Sequence, residues 1–343
     1  MALARQTKIG LYIFIVTLFV AMSVYLYQAL FSPNVQVGGK AKMLYIRTGA
    51  TYEEVMDSLR MGQYLSDVVS FAALARATGL RDKIKPGAYL IEPNAPNLAV
   101  IRMLRNGAQT PIKVTFNSLR LPQDLAGKLG DKLELDSATL LARLQDPDTC
   151  AAYGFTPQTM TAMFVPDTYE MYWTVSAPAL WKKMRKAYDK FWTESRKAKA
   201  AGLKLSQAEV ITLASIVEAE TKKFDEMPIV AGVYLNRLAQ GMPLQADPTV
   251  VYAVGDFTIK RVREGHKANN SPYNTYKVLG LPPGPINMPS QTAIDAVLMP
   301  AKHNYIFFVA RRDFSGYHTF AEDYGTHLKN ARLYQRALDS LNL

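Results

Sequence analysis

The chain has 343 residues, 49% of them apolar and 20% charged, with a formal net charge of +11. That length suits two or three domains, and that composition suits a buried core, so wholesale disorder is excluded. The single cysteine, Cys150, excludes an intrachain disulfide and a cysteine-based zinc site, and the four histidines fit a His-rich centre poorly, so no metal or other cofactor is expected. The charge points to an anionic partner without saying which.

Residues Ile9 to Phe31 form 23 positions without a charge. As a helix rising about 1.5 Å per residue, they would cross a hydrocarbon layer of ~30 Å. Arg5 and Lys8 precede the run, so the positive-inside rule predicts a cytoplasmic segment 1–8, a single-pass anchor 9–31 in the inner (cytoplasmic) membrane, and a periplasmic remainder. Gln28-Ala29-Leu30-Phe31 is a poor signal-peptidase site, which favours an uncleaved anchor. This placement argues against nucleic acid as the partner.

Ser32–Lys42 is rich in Pro, Gly and polar residues and reads as a linker or stalk. A small α/β unit follows. Met43–Arg47 reads as a strand, and Thr51-Tyr-Glu-Glu54 is a capping box opening a helix. Ser66 is placed to cap a second helix stopped by Gly79, and 85–91 reads as a turn and a strand. Strand, helix, helix, strand over about 50 residues resembles a LysM-like glycan-binding module, although such units also occur as plain scaffolding. A helix at 97–105 and a strand at 111–116 complete the module, 43–112.

The remainder, 113–343, is expected to be a larger mixed α/β domain, which makes the whole chain α+β. Two helices are predicted within 121–144, then a turn at Phe164-Val-Pro-Asp-Thr-Tyr169, then a basic helix. Ala179–Lys204 carries nine Lys or Arg against Asp189 and Glu194. Leu180, Met184, Ala187, Tyr188 and Phe191 follow helical spacing, with Ser176 as the cap. The segment is either a solvated helix face or a surface that attracts an anionic polymer or lipid headgroups.

The residues that carry chemistry start at Ser206-Gln-Ala-Glu209, a second capping box. The helix it opens is apolar nearly all the way round, so it should be buried. Glu218 and Glu220 lie near its C-terminal end. Ile211, Ala214 and Ser215 share a face with Glu218, and their small size should leave room for a substrate. Burial and the helix C-terminus both disfavour a carboxylate, which suits Glu218 to general acid work. The alternative is a structural network joining Glu218 and Glu220 to Lys222, Lys223 or Arg237. Downstream come a helix at 231–238, a loop with Gln245 and Asp247, a loop with Ser271, Tyr273, Asn274, Thr275 and Tyr276, and a proline-rich loop at 280–286. Tyrosine rings with amides and hydroxyls suit a sugar, with its apolar C–H faces and many hydroxyls.

ASIVEAET (214–221), GVYLNRLAQGMPLQADPTVVY (232–252), SPYNTY (271–276) and GLPPGPI (280–286) resemble the signature blocks of the endolytic murein transglycosylases, the YceG-like family. The Tyr305–Val309 and His318–His327 segments fit the same pattern. So does the order of anchor, LysM-like unit and Pro-Asp-Thr-Tyr turn. One place departs: Phe116-Asn117-Ser118 stands where many relatives have Pro-Glu-Gly.

The resemblance implies cleavage of the β-1,4 bond between N-acetylmuramic acid and N-acetylglucosamine inside peptidoglycan strands, with Glu218 as the catalytic residue. Glu218 would protonate the glycosidic oxygen and then take the proton of the muramyl C6 hydroxyl, closing a 1,6-anhydro ring. It also suggests partners, namely glycan strands and penicillin-binding synthases of the elongation machinery. Two other readings stand beside it. One is a lysozyme-like hydrolase pairing Glu218 with Asp247 or Glu220, and the other is a wall-binding membrane protein without catalysis.

Overall fold

The computed structural model describes residues 2–116 and 119–340. Asn117 and Ser118, part of the departure from the family pattern, lie outside the described residues. The chain divides into two units, one of Met1–Lys113 with Lys132–Glu134 and Glu170–Val175, the other holding the rest.

The first unit begins with α1 (Ala2–Phe31), whose Thr7–Phe31 stretch is long and apolar enough to cross a membrane. Then come β1 (Lys42–Ile46), α2 (Tyr52–Met61), α3 (Val68–Ala77), β2 (Gly87–Ile91) and α4 (Asn97–Asn106). The two strands pair antiparallel, Leu44 opposite Tyr89. Strand alternation turns Leu44 and Ile46 inward onto a core shared with Val55, Leu59, Phe71 and Leu104. Thr51 and Glu54 form the expected capping box. The cap of α3, however, is Asp67, whose carboxylate accepts the Val69 and Ser70 N–H groups. Ser66 is engaged elsewhere, its N–H donating to the Asn34 carbonyl at 2.8 Å.

That contact marks a larger difference. The 32–42 segment is not a free stalk. Val35 is 3% exposed and Asn34 is buried. The Val35 N–H donates to Ala95, Gln36 to Tyr64, and Asn94 back to Val35. Asn34 Nδ2 donates to Asn97 Oδ1 at 2.6 Å, and Asn97 Nδ2 reaches the Ala29 carbonyl in the last turn of α1 at 3.0 Å. Val35 and Val37 alternate like a short strand, a signal hidden among Pro, Gly and polar neighbours.

β3 (Ile112–Thr115) pairs with β4 (Thr168–Met171), and the boundary between the units falls inside both strands. The expected turn at 164–169 therefore runs straight into a strand. Between them lie α5 (Pro122–Lys132), α6 (Ser137–Gln145), α7 (Pro147–Ala152) and a 3₁₀ turn, Met160–Met163. Asp136 caps α6 by accepting from Thr139. The basic segment is two helices, α8 (Ala177–Phe191) and α9 (Glu194–Gly202). The break comes where Trp192 turns fully into the core, packed edge-on to Phe191, and Thr193 caps the next helix. Ser176 stands at the cap position of α8 but makes no capping hydrogen bond.

The second unit centres on α10 (Gln207–Glu220) and α11 (Met227–Ala239), followed by α12 (Asp247–Val254), α13 (Glu264–Lys267) and α14 (Gln291–Leu298). α10, α11 and α14 pack on one another. The chain ends with an antiparallel pair, β5 (Phe307–Ala310) and β6 (His318–Ala321), and α15 (Tyr324–Ser340). Gly232 sets how closely α11 meets the segment before β5. A Cβ there would lie 2.6 Å from His303 Nε2 and 2.7 Å from the Ala301 carbonyl. Gly232→Ala is expected to lower stability by about 1–3 kcal/mol through overpacking, read as a shift in the chemical-denaturation midpoint.

Candidate active site

The capping box of Ser206 and Glu209 starts α10 as expected, and Val210 through Glu218 are all buried. Glu218 is 7% exposed and sits in the last turn. Its two carboxylate oxygens accept the Ser290 N–H, each at 3.2 Å. Ser290 is the cap of α14, so a helix N-terminus, where partial positive charge favours an anion, faces the carboxyl. The face expected to leave room for substrate is filled instead. Ser215 is fully buried, its Oγ accepting from the Ile286 N–H at 3.0 Å, and Asn287 Nδ2 donates to its carbonyl at 2.9 Å. The 286–290 segment thus lies along α10 and delivers Ser290 to Glu218. Asn287 and Ser290 were not found from the sequence, where only the Ser290-x-x-Ala293 spacing of a helix cap hints at them.

The opening lies beside Glu218, with Ile286 and Asn287 also in its lining. It is a cleft of about 410 Å³. It is lined by Glu218, Glu220 and Asp247, and also by Asn287, Tyr252, Phe257, Arg120 and Lys260. The cations expected to neutralise the two glutamates are engaged elsewhere. Lys222 Nζ donates to the Glu218 carbonyl at 2.8 Å, and Lys223 lies over the Tyr317 ring. Arg237 donates to the carbonyls of Ile306 at 2.6 Å and Leu244 at 2.7 Å. The end of α10 is held by a different device. Thr221 Oγ1 donates to Glu226 at 3.0 Å, and buried Glu226 also accepts the His318 N–H at 2.7 Å and pairs with His318 Nδ1 at 2.8 Å.

Of the sequence-predicted residues, Asp247 joins Glu218 in the cleft. It is the first residue of α12 rather than a loop residue. Tyr276 stands behind it, its hydroxyl donating to Asp247 Oδ1 at 2.6 Å. Tyr273 packs against Tyr252, ring centroids 4.7 Å apart. The others shape the loops. Asn274 and Thr275 are fully buried, with Asn274 Nδ2 donating to the Lys267 and Asn269 carbonyls and Thr275 Oγ1 accepting from Ala246. Ser271 Oγ accepts from the Tyr273 N–H, and Gln245, at φ +53°, bonds back to the Thr275 carbonyl. Asn274 and Thr275 are spent inside the scaffold, Gln245 is exposed and Ser271 half-buried, and none of the four lines the cleft. Among the described residues, no group of three or more His, Cys, Asp or Glu side chains is placed to hold a metal ion.

Glu220 is the acid with the perturbed proton affinity. Burial, then the charge of Asp247, pushes its carboxyl up to about 7, against a hydrogen bond from Tyr234 and the charge of Arg237. Its Oε2 is buried without a partner. The folded state therefore binds a proton that the unfolded chain releases from about 4.5 upward. The stability this supplies is present at low pH and lost as pH rises towards 7. Glu220→Gln should flatten that fall, checked by comparing wild-type and variant melting temperatures between pH 4.5 and 7.

The YceG-like family matches residues 44–333 of the chain. An endolytic murein transglycosylase of Bacillus subtilis (strain 168) is 27% identical over 282 residues, covering 78% of this chain and 78% of the relative. Another, from Streptococcus pneumoniae (strain ATCC BAA-255 / R6), is 27% identical over 298 residues, and the chain spans 53% of that relative's length. The 2.6 Å crystal structure of a YceG-like protein from Listeria monocytogenes aligns with a TM-score of 0.56 at 26% identity, covering 84% of this chain and 98% of that one. A match that runs from β1 into α15 takes in the cleft and every residue that builds it, and the chain belongs to the YceG-like family.

Proposed function

We propose that the protein is a membrane-anchored endolytic peptidoglycan transglycosylase, a lyase that cuts inside glycan strands. The observation that carries this is Glu218, a buried carboxyl that faces the cleft from the end of an apolar helix, in a chain whose relatives bear that name. Glu218 in its acid form gives its proton to the glycosidic oxygen between N-acetylmuramic acid and N-acetylglucosamine. The resulting carboxylate is received by the Ser290 N–H at the head of α14. It then takes the proton of the muramyl C6 hydroxyl, whose oxygen closes on C1 to give the 1,6-anhydro end. One carboxyl acting in both directions suffices, because no water needs a separate base. Asp247 and Tyr252 line the space for the sugars, supported from behind by Tyr276 and Tyr273.

In this proposal, α1 anchors the chain in the inner membrane with its N-terminus cytoplasmic and the cleft periplasmic. The strand-helix-helix-strand module acts as a LysM-like glycan holder, the second unit forms the catalytic domain, and cutting ends nascent strands beside penicillin-binding synthases. Glu220 and Asp247 in the same cleft support a second reading, hydrolysis with two carboxyls. Mass spectrometry of products from purified sacculi separates the two. Anhydro-muramyl ends are expected, and reducing muramyl ends would replace this reading with hydrolysis.

A further inference from the structure

The cleft is lined by cations that the reaction does not use. Arg120 and Lys260 are exposed and line it. Arg120 places its guanidinium over the Phe257 ring at 4.9 Å, and no carboxylate pairs with it among the described residues. Lys260 likewise has no acidic partner among them. Three carboxylates line the same cleft, yet neither cation has closed onto Glu218, Glu220 or Asp247. Lys222, the third cation there, is occupied by the Glu218 carbonyl. Two cations left without a carboxylate partner at the rim of this cleft call for an anion supplied by the substrate.

In a strand with intact stems the lactyl carboxyl of muramic acid is tied up as an amide, so the sugars themselves are neutral. Their hydroxyls and acetamido groups suit the tyrosines and carboxylates but leave cations unmatched. The peptide stem attached through the lactyl group of muramic acid is different, because it carries free carboxylates. Arg120 offers a planar fork of N–H donors for such a group, braced by Phe257, and Lys260 a mobile point charge. We infer that Arg120 and Lys260 read the carboxylates of the peptide stem, so that the cleft selects strands whose muramic acid still carries anionic peptide over stripped glycan. This rests on the transglycosylase reading for its substrate, and its test is arranged to be decided separately.

The test uses the full chain in detergent with three preparations of one batch of uncrosslinked strands. The first has intact stems, the second has stems removed by an amidase with the lactyl carboxylates so freed converted to methylamides, and the third has stem carboxylates converted to methylamides. The third keeps the bulk of the peptide and removes its negative charge. Intact strands should be cut with kcat/KM about tenfold above the other two, as two partly exposed charged contacts allow. Raising the salt should shrink the difference. In the double variant Arg120→Gln, Lys260→Gln, the ratio should fall to about one. Methylamide strands cut as well as intact ones, or an unchanged ratio in the double variant, would overturn the inference. Dissociation constants of the three preparations, measured on Glu218→Gln with and without the double change, give the same ratio without turnover. If no preparation is cut, the transglycosylase reading fails while the binding ratio still decides this one.

Discussion

Glu218→Gln is expected to lower the rate of strand cleavage by about 10²–10⁴-fold or more, since in the proposed mechanism one acid serves two successive proton transfers. The amide keeps the shape of the carboxyl and can still accept the Ser290 N–H. It has no proton to give to a glycosidic oxygen. The melting temperature should stay near the wild-type value, and the variant should still bind glycan. Release of muropeptides from sacculi measures the rate, and thermal unfolding measures the fold. Near-wild-type release by a well-folded variant would remove Glu218 from the chemistry. Glu220→Gln is the comparison. Its carboxyl lines the same cleft but its Oε2 is buried without a partner, so its loss should cost less turnover and show mainly in the pH dependence of stability.

The largest effect on stability is expected from Arg237→Met. Burial lowers the affinity of this guanidinium for its proton, yet the group remains charged and is satisfied by carbonyls at Ile306, Leu244 and Pro243, with the Phe307 ring 5.3 Å away. Methionine fills most of the stem's space and supplies none of the donors. Two or three buried carbonyls are left without partners, each worth about 1–3 kcal/mol, for a loss on the order of 3 kcal/mol or more. Arg237→Lys should recover only part of it, because one ammonium cannot serve carbonyls lying in different directions. Urea denaturation with fluorescence detection gives the difference. A loss below about 1 kcal/mol would mean that water replaces the guanidinium.

Local chemistry made much of this readable in advance. Two capping boxes, at Thr51 and Ser206, opened the helices they predicted, because both partners of a box lie within four residues. The all-round apolar pattern of α10 announced its burial. What sequence could not disclose depends on segments far apart in the chain. Ser215 looked like empty space beside Glu218 until Ile286 and Asn287 arrived from some 70 residues away. Asn274 and Thr275 carry sugar-binding groups, but their neighbours in space consume those groups. Nothing in the charge pattern of the basic segment marks its break, which falls where Trp192 turns inward and ends α8. The small cap difference at Asp67 has the same origin, since Ser66 is claimed by the strand-like segment at 34–36.

That segment has mechanical consequences. A loose tether of 11 residues would let a domain swing through roughly 35 Å around its anchor point. Here the last turn of α1 is bonded through Asn97, and packed chain resumes at Asn34, three residues beyond Phe31. With α1 in a bilayer, the module has almost no leash. It rides at one height and in one orientation above the lipid, as a post rather than a float. Any partner of the module would then have to come to that height.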